Sequence, residues 1–323
     1  MTFIASVVAK NGCAVIADSL VTTFSSVMGW SDFMKHVESR KGTDGTINLD
    51  YKELASIFVS RPSHTKNYEE KLFLYDPFSV VTTAGSAAIN GKRIEELVEE
   101  LIIQNNTDPD HVNKELETRG VEFCDFFAAK VTEHVNSNGR FNGTSFIYTN
   151  YNKDTHRTCI YKIYLHGAFK KDIDDPNFKP YDYHIQPDIF KVVCDGQNRI
   201  SERILFGDID TTTTLIPKIV NQIIKDHGLS VNPETYSEVV FEALQKSGQL
   251  ATLNDDMKMF QISSLSLQQA VDLACLLMRL EMDFQQYTQN IPTVGGLIKL
   301  ATIDKDGIKL ISGNGIMKPE YIR

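Results

Sequence analysis

The chain has 323 residues, 42% of them hydrophobic, 23% charged and 10% aromatic, enough apolar material for one large core or two smaller ones, which excludes disorder as its main state. Thirty-three Lys plus Arg against 42 Asp plus Glu leave a formal net charge of −9, which argues against a broad phosphate-tracking or anionic-lipid surface and so against nucleic acid as a partner. Apolar runs such as 4–9 and 274–278 fall far short of the roughly 20 residues a membrane helix needs, and no basic segment leading into an apolar stretch marks a secretory signal, so a cytoplasmic chain with no membrane partner is expected.

Residues 2–9 and 13–19 are β-rich and joined by Lys10-Asn11-Gly12, whose Asn-Gly pair favours the positive-φ conformations of a tight hairpin. Residues 24–68 break the pattern, mixing Gly29, Gly42 and Gly45 with charges and short apolar clusters, and read as an insertion that returns to the core near residue 70. Segments 71–76 and 79–85 predict a second strand pair turning at Asp76-Pro77, where proline suits a turn better than a sheet interior. Two hairpins in succession predict an antiparallel sheet. Ile94, Leu97, Val98, Leu101 and Ile102 recur at helical spacing, and Phe123, Phe127, Val131 and Val135 predict another helix.

The chain returns to β at 145–151, 159–165 and 190–194, a second sheet by its β-branched and aromatic content. Helical patterns follow at 215–224, 236–244 and 267–284, the last opened by Ser266 with Gln269 three residues on, as in a capping box. A closing hairpin, 297–303 and 307–311, turns at Asp304-Lys305-Asp306-Gly307. This order lacks the strict βαβ alternation of a doubly wound parallel sheet. It predicts an α+β fold of two antiparallel sheets face to face with helices outside them.

Several familiar motifs fail. Gly85 to Lys92 is not a phosphate loop, because five residues separate Gly85 from Gly91 and Arg93 stands where a Ser or Thr would hold magnesium. Eight histidines show neither H-E-x-x-H nor an i, i+4 pair, so they read as surface residues and no metal site is expected. Cys13, Cys124, Cys159, Cys194 and Cys275 are widely spaced in apolar runs and read as reduced core residues. With no G-x-S-x-G elbow and no G-x-G-x-x-G, the usual hydrolase and dinucleotide signatures are missing and no cofactor is expected.

Thr2-Phe3-Ile4-Ala5-Ser6-Val7-Val8-Ala9-Lys10-Asn11-Gly12 running into Ala17-Asp18-Ser19, then Lys71-Leu72-Phe73 with Thr83-Ala84-Gly85-Ser86-Ala87-Ala88, then Gly295-Gly296-Leu297-Ile298 with Asp306-Gly307-Ile308-Lys309, form three blocks in order. Together they resemble the proteasome β-subunit family of N-terminal-nucleophile hydrolases, threonine peptidase type. The resemblance implies a four-layer αββα sandwich, here one domain over 1–323 with an insertion at about 24–68 and an elaborated region at about 226–262. It also implies a homo-oligomeric ring acting on a peptide or protein substrate.

The chemistry that would follow is simple. A threonine hydroxyl is a poor nucleophile until a base takes its proton, and a free α-amine on the same residue, with a pKa of about 7.7–8.0, is a base within reach. Thr2 is small enough for removal of Met1 to be expected, which would leave it as the amino terminus. A lysine ammonium would stabilise the developing oxyanion of Thr2, and a carboxylate would hold that lysine; by the resemblance these are Lys71 and Asp18. Gly85 matches the backbone oxyanion donor, where the lack of a side chain lets substrate approach. Thr83 and Ala87 should flank Gly85 toward the substrate, with Val21 and Thr22 nearby. All four are uncharged, which favours a neutral side chain in the specificity pocket.

Two stretches depart from the family pattern. Its D-x-x-S-G-G reads here Asn290-Ile291-Pro292-Thr293-Val294-Gly295-Gly296, with Asn290 and Thr293 as possible support for the terminal amine. Its G-S-G turn reads Cys194-Asp195-Gly196-Gln197, where Asp195 is a further possible support. A threonine-type endopeptidase is the leading expectation. An amidohydrolase or transpeptidase of narrow substrate range, and a non-catalytic ring subunit or scaffold, remain open alternatives.

Overall fold

The computed structural model describes residues 2–42, 45–47, 57–66, 68–108, 110–111, 114–186, 191–206, 216–226, 246, 262–288 and 291–312. Strands β1 (Phe3–Ala9) and β2 (Gly12–Ala17) form the first hairpin; β3 (Val21–Val27) and β4 (Val59–Lys66) form a ribbon with helix α1 (Trp30–Ser39) between them. The second hairpin, β5 (Leu72–Asp76) and β6 (Ser79–Gly85), leads through the short pair β7 (Ala88–Ile89) and β8 (Lys92–Arg93) into helices α2 (Ile94–Asn106) and α3 (Leu116–Asn138). Then come β9 (Arg140–Phe141), β10 (Thr144–Asn152), β11 (Arg157–Leu165), β12 (Ala168–Phe169), α4 (Lys170–Ile173), β13 (Tyr181–Ile185) and β14 (Val192–Gly196). Helices α5 (Arg199–Phe206), α6 (Ile216–Asp226) and α7 (Leu267–Thr288) precede the closing hairpin of β15 (Lys299–Asp304) and β16 (Gly307–Ser312).

Two five-stranded sheets carry the fold, in the orders β14-β1-β2-β15-β16 and β13-β11-β10-β6-β5, and every pairing in them is antiparallel. The chain is thus an α+β protein of antiparallel sheets and helices. Ile4, Val15 and Ala17 of the first sheet pack with Val80, Ala84, Ile147 and Tyr151 of the second. The opposite face of β1, with Phe3, Ala5 and Val7, packs with Ala270, Ala274, Leu277 and Met278 of α7. Successive side chains of a strand point to opposite faces, so a strand covered on both sides must be apolar at nearly every position. That is why β1 and β2 read as apolar runs rather than as alternating ones, with Ser6 of β1 the exception, its hydroxyl 2.7 Å from Thr149 Oγ1. On the second sheet, Phe146 and Tyr148 pack with Phe123 and Phe127 of α3 and with Leu97 and Val98 of α2.

The structure alters the expected assignments in several places. The two hairpins at 2–19 and 71–85 do not share a sheet: β1 and β2 lie in one, β5 and β6 in the other. Conversely β10 and β11 join β5 and β6, while β14 crosses back to pair with β1. The polar but partly β-branched stretch Val21–Val27 was not expected as a strand; it pairs with β4. Strand β13 and helices α4 and α5 were not expected, and α4 falls in the 170–175 charge cluster that reads as a loop. The helical pattern at 236–244 lies outside the described residues. Helix α7 has the expected cap, with Ser266 N–H donating to Gln269 Oε1 (2.8 Å) and Gln269 N–H to Ser266 Oγ (3.2 Å). His111, expected at the surface, is buried against Glu122. Cys13, Cys124 and Cys194 are buried and all five cysteines are free. Among the described residues no helix is long and apolar enough to cross a membrane.

Candidate active site

The antiparallel β1–β2 register sets Ile4 opposite Ala17, so the residues just outside the pair, Thr2 and Asp18, meet at the same end. Phe3 N–H donates to Asp18 Oδ1 (3.1 Å), and Asp18 N–H donates to Phe3 O (3.2 Å). Lys71 comes from the second sheet, immediately before β5, where its carbonyl accepts from Thr83 N–H (3.0 Å). Glu70 Oε1 accepts the N–H groups of both Lys71 and Leu72 (3.2 Å each), while its other oxygen takes Tyr68 Oη–H (2.9 Å) and pairs with Lys299. The backbone bearing Lys71 is therefore held on both sides.

From there the ammonium crosses between the sheets. Lys71 Nζ lies 2.7 Å from Thr2 Oγ1, 3.0 Å from Asp18 Oδ1 and 2.5 Å from Leu20 O. Three donors meet three acceptors, which is the full capacity of an ammonium. Asp18 is equally committed: Oδ1 accepts from Phe3 N–H and Lys71, and Oδ2 from Leu20 N–H (3.3 Å) and Gly295 N–H (3.0 Å). Burial pushes the Asp18 carboxyl up, against the pull of Lys71 and the amides of Gly295 and Phe3. Burial also lowers Lys71 below the ordinary lysine value, with Asp18 and then Glu69 opposing. Four donors around Asp18 leave no acceptor for a carboxyl proton, so the pair is ionised and Lys71 is poised to lose its charge more readily than a surface lysine.

Thr2 is only 3% exposed, yet it lines two cavities. One, of about 300 Å³, is bounded by Thr2, Lys71, Gly85, Val21, Thr22, Thr83, Ala87, Ile94 and the two carboxylate residues Glu69 and Glu70, among others. The five expected residues Gly85, Val21, Thr22, Thr83 and Ala87 thus share one wall system with Thr2 and Lys71. Gly85 has φ +115, and a Cβ there would lie 2.9 Å from Thr144 Cα and 3.0 Å from Gly143 O, so only glycine fits between β6 and β10 at this point. The second cavity, about 450 Å³ and more open, lies on the other side of Thr2 and Gly85, with Ser145, Tyr164, Asp195 and Gly196 in its walls.

The supporting residues divide. Asp195 Oδ1 accepts from Gly196 N–H (2.6 Å), and Oδ2 lies 3.6 Å from Lys162 Nζ. Thr293 reaches Thr2 through an intermediary: its hydroxyl donates to Gln197 Oε1 (2.6 Å), and Gln197 N–H donates to Thr2 O (2.6 Å). Gln285 Oε1 accepts the N–H groups of Thr293 (2.7 Å) and Val294 (3.0 Å) and fixes the segment leading to Gly295. Asn290 lies outside the described residues. Gly196 has φ +83, and a Cβ on it would overlap the carbonyl oxygen of Thr2; the degraded turn keeps the one residue that the backbone of Thr2 requires.

Sequence reasoning missed Gln197, Gln285, Glu69 and Glu70. The glutamines carry no spacing signal, since they meet the site only through β1–β14 pairing and the end of α7. The adjacent glutamates had one: two carboxylates directly before a lysine expected to be buried must themselves find partners.

No family model and no curated protein matches the chain. Among solved structures it is similar to the Anbu (Gly-1) mutant from Hyphomicrobium sp. strain MC1, at 13% sequence identity and a TM-score of 0.43, over 97% of this chain and 88% of that chain. Among the described residues no group of His, Cys, Asp and Glu side chains could hold a metal ion.

Proposed function

We propose that the chain is a threonine-type amide hydrolase of the N-terminal-nucleophile kind, with Thr2 as nucleophile, Lys71 and Asp18 as its charge relay partners and Gly85 N–H as oxyanion donor. The observation that carries this reading is the Lys71 ammonium 2.7 Å from Thr2 Oγ1, with its other hydrogens taken by Asp18 and Leu20 O, at the edge of a cavity that Gly85 also lines. The two packed sheets with helices on their outer faces support the αββα sandwich as the architecture of a single domain over 1–323. The homo-oligomeric ring rests on the resemblance of the three sequence blocks.

Release of the residue before Thr2 frees an α-amine, which takes the hydroxyl proton as Oγ bonds to the substrate carbonyl carbon. The carbonyl electron pair moves onto oxygen and is received by Gly85 N–H. Lys71 lowers the cost of charge on Oγ throughout. Collapse of the tetrahedral species breaks the C–N bond, the α-ammonium passes its proton to the departing amine, and an ester on Thr2 remains. Water, deprotonated by the same amine, hydrolyses that ester and restores the hydroxyl.

Intact mass determines whether Thr2 is the first residue. A peptide epoxyketone, which needs both the hydroxyl and the amine of a terminal threonine, is then expected to add one inhibitor mass on Thr2. A Thr2-terminated protein that takes no label, or label that persists in Thr2→Ala, overturns the reading.

A further inference from the structure

The cavity beside Thr2 contains a carboxylate that the hydrolytic steps do not use. Glu69 is 7% exposed and lines the cavity. Among the described residues its Oε1 is buried without a hydrogen-bond partner, whereas Oε2 is held by the solvent-exposed Lys66. The other cation facing Oε1 is the half-exposed Arg93, whose Nη1 stands 3.9 Å away and also pairs with Glu95 at 3.1 Å. Lys71 attracts it through space but gives it no hydrogen bond, because all three of its hydrogens are committed. Glu70, its neighbour in the same wall, is saturated by two backbone amides, Tyr68 and Lys299. Among the described residues Glu69 Oε1 therefore makes no hydrogen bond and is met only by the distant Arg93 guanidinium, and a buried acceptor so weakly paired is costly unless something donates to it.

We propose that Glu69 makes this cavity select a cationic side chain, lysine or arginine, on the residue whose carbonyl Thr2 attacks. The proposal rests on the reading of Thr2 as nucleophile and replaces the neutral preference expected from Val21, Thr22, Thr83 and Ala87. The aliphatic walls of Val21, Ala87 and Ile94 suit the methylene stem of such a side chain, and Glu69 Oε1 meets its charged head. Glu69 N–H donates to Ser19 O (2.9 Å), which fixes the backbone that carries this side chain beside the end of β2.

The test uses fluorogenic peptide amides that differ only in having Arg, Leu or Glu before the scissile bond. In the wild-type protein kcat/KM for Arg is expected to exceed that for Leu by about tenfold or more, and Glu69→Gln to reduce that ratio by a similar factor. A Leu preference in the wild type, or an unchanged ratio in Glu69→Gln, overturns the proposal and leaves Glu69 as a partner of Lys66 and Arg93 only. If no peptide is cleaved and the epoxyketone does not label Thr2, the hydrolytic reading fails, and the cavity is then judged by calorimetric titration of n-butylguanidinium. Binding that n-pentanol does not reproduce and Glu69→Gln abolishes supports the cation site; equal binding of both compounds, or none, overturns it.

Discussion

Two lysine–aspartate pairs bridge the sheets beside Thr2, and they are built differently. Asp18 and Lys71 stand 3.0 Å apart with every donor and acceptor taken, both nearly inaccessible to water. Asp195 and Lys162 stand 3.6 Å apart at the wall of the open cavity, with Lys162 also donating to Cys194 O (3.1 Å) and Asp195 Oδ2 lacking a hydrogen-bond partner among the described residues. Their electrostatics differ in sign. Burial lowers Lys71 more than Asp18 raises it, whereas at Lys162 burial is the largest single influence but Asp195, Tyr164 and Cys194 together outweigh it, and the lysine is held above its ordinary value. A buried charge pair gains little from Coulomb attraction alone; it becomes a fixed structural joint when hydrogen bonds occupy its remaining lone pairs and protons.

Breaking the saturated pair should have the largest effect. Asp18→Ala strands the Lys71 ammonium and is expected to cost about 3–5 kcal/mol of stability by denaturant unfolding, with epoxyketone labelling of Thr2 lost. Asp18→Asn should fare little better, because its amide would aim hydrogens at groups that are themselves donors. Parity of Asp18→Asn with wild type in both measurements would contradict the hydrogen-bond saturation described for this pair.

Next in size is Gly196→Ala, at the turn that Asp195 caps. A methyl group there displaces the Thr2 carbonyl and forces a left-handed backbone on alanine, for an expected loss of about 2 kcal/mol or more. Labelling of Thr2 should fall with it. The looser pair should matter less: Lys162→Met or Asp195→Asn is expected to cost about 1–2 kcal/mol, the scale of one hydrogen bond to a charged group. A loss equal to that of Asp18→Ala would erase the contrast between the pairs.

The smallest expected effect lies in the pH dependence of stability near the ordinary lysine value of about 10.4. Lys71 is lowered, so between its folded value and that of the unfolded chain the unfolded state holds the extra proton, and its contribution makes stability rise with pH. Lys162 is raised; its contribution is full below the unfolded value and is lost as pH rises through the folded one. Unfolding of Lys162→Met between pH 9 and 11 should therefore show a shallower alkaline decline than wild type. A steeper one would reverse the sign assigned to that pair.

The sequence showed part of the site plainly. Thr2 and Asp18 meet because a hairpin with an Asn-Gly turn brings its two ends together, a local consequence of residues 2–18. Gly85 and Gly196 announce themselves as glycines at turns. Lys71 was legible only through resemblance, since nothing in its own neighbourhood points to a partner 53 residues earlier in the chain. Glu69 was missed: reading the pocket from the neighbours of Gly85 and from the residues after Asp18 gave four uncharged walls, while the carboxylate enters from the segment just before β5.

Apolar periodicity, turn residues and caps determined from sequence alone that most segments are strands or helices. Those are properties of neighbouring residues. Which strand joins which sheet was decided only by the tertiary structure, because backbone hydrogen bonds between strands are nearly blind to side-chain identity and their partners lie far apart in the chain. For the same reason the crossing of β14 to β1, which brings Gln197 N–H to the Thr2 carbonyl and Asp195 to Lys162, has no trace in the order of the residues.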